Sequence, residues 1–174
     1  MRARDGDSTA VATLYRQHQF GVYRYMVYRL NDHHAAEDLT SEVFVRMIRS
    51  LGNYRFTGIP FEVWLYRIAH NMAVDYYRRN GRYKQVEFDE DIAAVDADPA
   101  AATEHRLNVS QLHAALRELN DTQREVIILR FIVRLPIAQT AQVLHKSENA
   151  IKGLQRRALH NLRQSLSEME AYYV

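Results

Sequence analysis

The chain has 174 residues, 47% of them hydrophobic, with no Cys, 6 Gly and 3 Pro, which suits one domain or two compact ones and excludes disordered and collagen-like chains. Without a thiol, a disulfide scaffold, a Cys-ligated zinc site and a Cys nucleophile are all excluded. The net charge of +2 hides unlike parts: residues 1–84 carry 13 Lys/Arg against 8 Asp/Glu, residues 85–105 none against 7, and residues 106–174 carry 10 against 6. Two basic blocks suited to a polyanion thus flank an acidic strip. No uncharged run approaches the ~20 residues of a spanning helix, and Met1 to Asp7 has no apolar stretch behind its charges, so a soluble, cytoplasmic protein without membrane insertion is expected.

Low Gly and Pro and an apolar spacing near 3.6 predict helices almost throughout. A first helix, capped by Ser8 or Thr9, runs to about Leu30 with Val11, Tyr15, Val22, Met26 and Leu30 in one stripe. After a turn at Asn31 to His33, a second helix spans about Ala35 to Leu51 and is stopped by Gly52 and Asn53. Leu39, Val43, Met47 and Leu51 form one of its stripes. Phe44, Val45 and Ile48 form another, so it is either central to the core or half covered by a partner. The stretch Tyr54 to Pro60 reads as an ordered loop. A third helix follows from about Pro60 to Arg79, with Trp64, Ile68, Met72 and Tyr76 at i, i+4 spacing and Trp64 expected in the core.

From Gln85 to His105 the periodicity fails and like charge accumulates, which marks a linker. Order is expected to return at Asp98-Pro99 and continue through Leu119. Asn120 and Gln123 resemble a capping box for a helix over Asp121 to Val133. Two helices remain, at about Pro136 to Leu144 and from a Ser147 cap to about Leu166. The expected architecture is all-α: two helical domains, 1–84 and 106–174, joined by a flexible acidic linker over 85–105.

The 8 His are scattered, and the sequence contains no HExxH, no GxSxG and no phosphate-binding glycine loop. No catalytic residues, metal site or cofactor are therefore assigned, and an enzyme is not expected. The last two helices are more informative. Only His145 and Lys146 separate Leu144 from Ser147, and His145 falls where a left-handed residue is needed. Beyond that turn Ile151, Leu154, Ala158 and Leu162 form a buried stripe, while Asn149, Lys152, Gly153, Arg156, His160 and Arg163 form an outer face without a carboxylate. Solvated faces usually mix signs; a basic and amide face after a tight turn fits a recognition helix of a helix-turn-helix. Aromatics interleaved with base from Tyr54 to Lys84 are the groups that bind unstacked bases.

Three strings together resemble the extracytoplasmic-function (ECF) sigma factors, small sigma-70-like initiation factors of bacterial RNA polymerase. "VATLYRQHQFGVYRYMVYRL…AEDLTSEVFVRMIRSLGNYR" resembles the core-binding region of that family. "FEVWLYRIAHNMAVDYYRR" is similar to its −10 region, and Leu119 to Arg163 to its −35-binding domain. The resemblance implies a non-enzymatic subunit that binds core RNA polymerase, recognises promoter DNA and helps open the duplex, usually restrained by a cognate anti-sigma factor. It implies docking on the clamp helices of the largest polymerase subunit through Asp38, Leu39, Glu42, Phe44 and Val45. The −10 element would be met by Arg55, Phe56, Phe61, Arg67, His70, Asn71, Arg78 and Arg79, with Asn71 and the aromatic loop holding a flipped base. The −35 duplex would be met by Ser147, Asn149, Lys152, Gly153, Arg156, Arg157 and Arg163. The competing reading is a two-domain helix-turn-helix regulator whose N-terminal block senses a ligand.

Overall fold

The computed structural model describes residues 2–54, 58–80 and 102–172. Among them a short 3-10 helix (Arg2–Asp5) precedes α1 (Ser8–Leu30), α2 (His33–Leu51), α3 (Phe61–Asn80), α4 (Ala102–Glu118), α5 (Asp121–Ile127), α6 (Ile137–Val143) and α7 (Glu148–Tyr172). The described residues contain no strand. Most of the expected acidic linker lies outside them.

Helix ends follow local chemistry. Asp7, not Ser8 or Thr9, caps α1: its side chain accepts from the Thr9 and Ala10 amides, as an acceptor at that position must when the first turn leaves amides unpaired. Asn31 closes α1 in the left-handed region at φ 53°, and Asp32 caps α2 through the Ala35 amide. His33 is therefore already helical, two residues earlier than predicted. Asn120 accepts from the Gln123 amide as expected. The predicted continuous helix over Asp121 to Val133 is instead α5 followed by a π-turn, Ile128–Ile132. There the Val133 amide reaches back to Ile128 O and the Leu135 amide to Leu129 O, both at 2.9 Å, and Arg134 takes φ 67°. Such widened turns redirect a chain without breaking its ladder.

Val22, Met26, Val43, Met47, Val63, Leu65 and Ala69 fill the space between α1, α2 and α3 and are wholly buried. The same apolar cluster continues into the C-terminal helices through Leu116, Leu119, Ile127, Ile128, Leu129, Ala158 and Leu162. The two helical sets thus meet, with α3 against α6 and α1 against the π-turn. Trp64 is not a core residue proper: it is half-buried, its ring tilted against those of Tyr54 (4.8 Å) and Phe61 (5.6 Å). A separate small cluster of Val126, Ala141 and Ile151 joins α5, α6 and α7.

Candidate nucleic-acid interface

The α6–α7 turn is the helix-turn-helix corner. His145 takes φ 52°, and the Lys146 amide donates to Ala141 O at 2.9 Å, the longer bond of a Schellman closure. Thr140, fully buried, donates its hydroxyl to Pro136 O, and Ser147 Oγ accepts from the Ala150 amide. This turn crosses α7 over α6 with Ile151, Ala158 and Leu162 inward. Outward, Asn149, Lys152, Arg156, Arg157, His160 and Arg163 are exposed. Lys152, Gln155, Arg156, Leu159, His160 and Arg163 line a shallow groove of about 410 Å³ along the helix. Gly153 faces Arg157, whose Nη1 would lie 3.6 Å from an added Cβ. Arg130 from the π-turn donates to Gln155 Oε1 at 3.0 Å, fixing the edge of that groove.

On α2, Asp38, Glu42, Val45 and Ile48 are exposed on one side. Asp38 also lines a cleft of about 600 Å³ with Tyr15, Phe20 and Tyr23 of α1. Two residues of the predicted docking stripe turn elsewhere. Phe44 is buried with its ring edge-on to Tyr15 at 4.8 Å, and Leu39 packs on the core. The apolar surface this helix offers is therefore Val45 and Ile48, extended on α1 by Tyr15 and Phe20.

The predicted −10 residues are dispersed. Arg55 and Phe56 lie outside the described residues. Phe61 is half-buried against His18, Tyr54 and Trp64. Asn71 is exposed and shares a pocket of about 340 Å³ with Arg46, Ile68, Val74 and Asp75; it stands ~15 Å along α3 from Phe61, so the structure does not set it beside that ring. Arg78 pairs with Asp75 at 3.2 Å, and Arg79 is exposed.

Arg67 and His70 face the C-terminal helices. Arg67 donates from Nε and Nη2 to Gln142 O, at 3.0 and 2.8 Å. His70 Nδ1 lies 3.0 Å from Glu125 Oε1, and since a carboxylate only accepts, the ring proton sits on Nδ1. Glu125 also accepts from the Tyr25 hydroxyl and pairs with Arg29, Nε to Oε2 at 2.6 Å. The Arg29 guanidinium lies 4.8 Å from the centre of the Tyr77 ring, while the Tyr77 hydroxyl donates to Arg29 O. Burial alone would push the Glu125 carboxyl up, but His70, Arg29 and the Tyr25 hydrogen bond together outweigh it and hold the group below its ordinary value. Burial and then Glu125 push the Tyr25 phenol well above its ordinary value. Burial, with repulsion from Arg29, lowers Arg124 to about 10; its guanidinium donates to Leu116 O, Arg117 O and Leu119 O.

Sequence reasoning did not find this network. The sequence signal was faint: Arg124 and Glu125 stand directly before the apolar run Val126 to Leu129 in a stretch that is polar from Asn120 on, and only their burial, at 5% and 2% exposure, shows that these charges need partners.

Two sigma-70 domains account for this arrangement. Sigma-70 region 2 matches residues 14–83 and sigma-70 region 4 matches residues 115–164. The chain is 38% identical over 169 residues to the ECF RNA polymerase sigma factor BldN of Streptomyces coelicolor, covering 96% of this chain and 64% of that protein. It is 32% identical over 160 residues to the ECF RNA polymerase sigma factor SigX of Bacillus subtilis, covering 88% and 81%. Among solved structures it resembles CnrH in complex with the cytosolic domain of CnrY, with a TM-score of 0.76, 26% identity and 96% and 94% of the two chains covered. The chain belongs to the ECF RNA polymerase sigma factors, a family of transcription initiation factors. The match of region 2 to the N-terminal block displaces the ligand-sensing regulator.

Proposed function

We propose that this chain binds core RNA polymerase, directs it to promoters through −10 and −35 contacts and assists strand opening, with working units at 1–84 and 106–174 and an acidic connection over 85–105. The observation that carries the reading is the outer face of α7, an exposed row of amide and cationic donors positioned by the left-handed turn at His145. Donors of this kind meet phosphates and purine edges in a major groove. Asn149, Lys152 and Arg156 read −35 bases, and Ser147, Gly153, Arg157 and Arg163 lie along the backbone. Asp38, Glu42, Val45 and Ile48 dock on the clamp helices, with Leu39 and Phe44 holding α2 in place from inside. Arg55, Phe56, Phe61 and Asn71 take an unstacked −10 base, whose extraction stacking and edge hydrogen bonds offset. Arg67, His70, Arg78 and Arg79 follow the phosphates.

Among the described residues no helix is long and apolar enough to cross a membrane, which is compatible with action beside the polymerase in the cytoplasm. A cognate anti-sigma factor is a further proposed partner, supported by the likeness to CnrH, solved with the cytosolic domain of CnrY. The chemistry belongs to the polymerase, so no catalytic group is assigned to this chain. The test is co-elution with core RNA polymerase in gel filtration. Wild type should co-elute and Asp38→Arg should not; separate elution of both would refute the docking.

A further inference from the structure

The C-terminal domain covers part of the surface with which the N-terminal domain would meet the −10 element, and it does so through built contacts. A single carboxylate, Glu125 of α5, enters a socket of the N-terminal domain where the Tyr25 hydroxyl, Arg29 and His70 Nδ1 all converge on it. Its side chain is only 3% exposed. Nearby, Gln142 O at the end of α6 takes both Arg67 donors. That carbonyl lies in the last turn, where the helix dipole is negative and the ordinary helical partner is absent. Arg67 thus caps a helix of the other domain. Asn71, one residue beyond His70, is exposed.

We infer that Glu125 is the latch of a closed state in which the two domains hold each other and Arg67 and His70 are withheld from promoter DNA. This inference rests on the proposed role of the Arg67–His70 face in −10 binding. Tyr25, Arg29 and His70 are arranged around an anion, and in the closed state that anion is Glu125. Separation of the domains returns Arg67 and His70 to solvent, ready for DNA phosphates. A buried charge cluster of this sort selects one arrangement, because an apolar contact could slide whereas unpaired Arg29 or Glu125 could not stay buried. Two states differing in DNA affinity are then coupled by the fraction that is open. Polymerase and promoter shift the balance by binding only the open form.

The test uses the full chain, whose lack of Cys allows a label pair at Gln17→Cys and Gln164→Cys, both exposed sites. Interdomain distance is read by double electron-electron resonance. Affinity is read by anisotropy of a fluorescein-labelled random-sequence single-stranded 20-mer, an oligonucleotide of about 20 bases chosen to exceed one site. Glu125→Gln and, from the other domain, Arg29→Met should each lengthen and broaden the distance distribution and tighten oligonucleotide binding at least about tenfold. Adding Arg67→Ala to Glu125→Gln should remove most of that gain. Circular dichroism melts of both variants identify misfolding, and the pair from opposite domains guards against one of them failing to fold. An unchanged distance in both folded variants overturns the latch and leaves the −10 reading standing. A lengthened distance with unchanged affinity shows instead that the covered face is not a DNA surface, and overturns the inference through that reading.

Discussion

The docking of α2 on polymerase can be tested with two truncations to alanine. Fully burying an isoleucine is worth ~1.5–3 kcal/mol. Ile48 is 52% exposed, so about half of that, ~0.8–1.5 kcal/mol, remains to be gained when a partner covers it, equivalent to ~4- to 13-fold in Kd. Val45, 44% exposed, offers slightly less. Ile48→Ala and Val45→Ala should therefore each weaken core binding ~3- to 13-fold. Because the two are neighbours on one helix face, their effects need not add. Ile48→Asp should weaken it ~100-fold or more, since a carboxylate enters an apolar contact without a partner. Fluorescence anisotropy of labelled chain titrated with core RNA polymerase measures the effect. Thermal melts of the two alanine variants should fall by no more than about 6 °C, because only the buried half of each side chain supports the fold. Wild-type affinity in both alanine variants would refute the assignment of this face, whatever the aspartate variant does.

Asn71→Ala should reduce permanganate reactivity of the −10 region while leaving duplex binding by α7 nearly unchanged; equal footprints would remove Asn71 from melting. Arg156→Ala should cost ~1–3 kcal/mol at one −35 position and relax preference there, whereas Arg163→Ala should lower affinity for all sequences and reduce the salt slope by about one. Binding to a −35 base library separates the two, and uniform loss for Arg156→Ala would make it a backbone contact. Arg124→Met removes a guanidinium shared by Leu116 O, Arg117 O and Leu119 O and should destabilise the C-terminal domain by about 3 kcal/mol or more, lowering its Tm by ~12 °C or more. A Tm within ~2 °C of wild type would contradict that. Because Glu125 is held below its ordinary value of 4.5, its contribution is complete above that value and is lost as pH falls through the lower folded value. The urea midpoint of wild type should drop more steeply than that of Glu125→Gln between neutral pH and about pH 3, and parallel curves would show that Glu125 does not carry this dependence.

Periodicity and punctuation made the helices legible. Asn31 and His145 take the left-handed conformation that ends their helices, Asn120 caps through its side chain, and α2 and α7 follow their stripes closely, whereas α3 buries Val63, Leu65, Tyr66, Ala69, Met72 and Ala73 and leaves Trp64, Ile68 and Tyr76 of the predicted stripe half-buried. The left-handed turn at His145 and the outer face of α7 could be read together because both are local. What failed was partly local and partly long-range. Asp7 is one residue outside the apolar pattern, so the pattern did not point to it. The π-turn at Ile128–Ile132 keeps helical composition and leaves no mark in sequence. Phe44 belongs by spacing to the second stripe of α2, yet Tyr15 of α1 receives it. Arg67 and His70 read as polar residues of α3 open to DNA because a one-dimensional pattern shows a polar face without showing what lies against it. Only the packing of α5 and α6 on α1 and α3 reveals that this polar face is satisfied within the chain.

The central claim is that the chain gives core polymerase a promoter preference. It is tested most directly by incubating core RNA polymerase, with and without the chain, on fragmented genomic DNA of its own organism and sequencing the 5′ ends of the transcripts. The account predicts new start sites that appear only with the chain, share one −10 and one −35 sequence, and lose the −35 preference at a single position with Arg156→Ala. Identical start sites with and without the chain would contradict it.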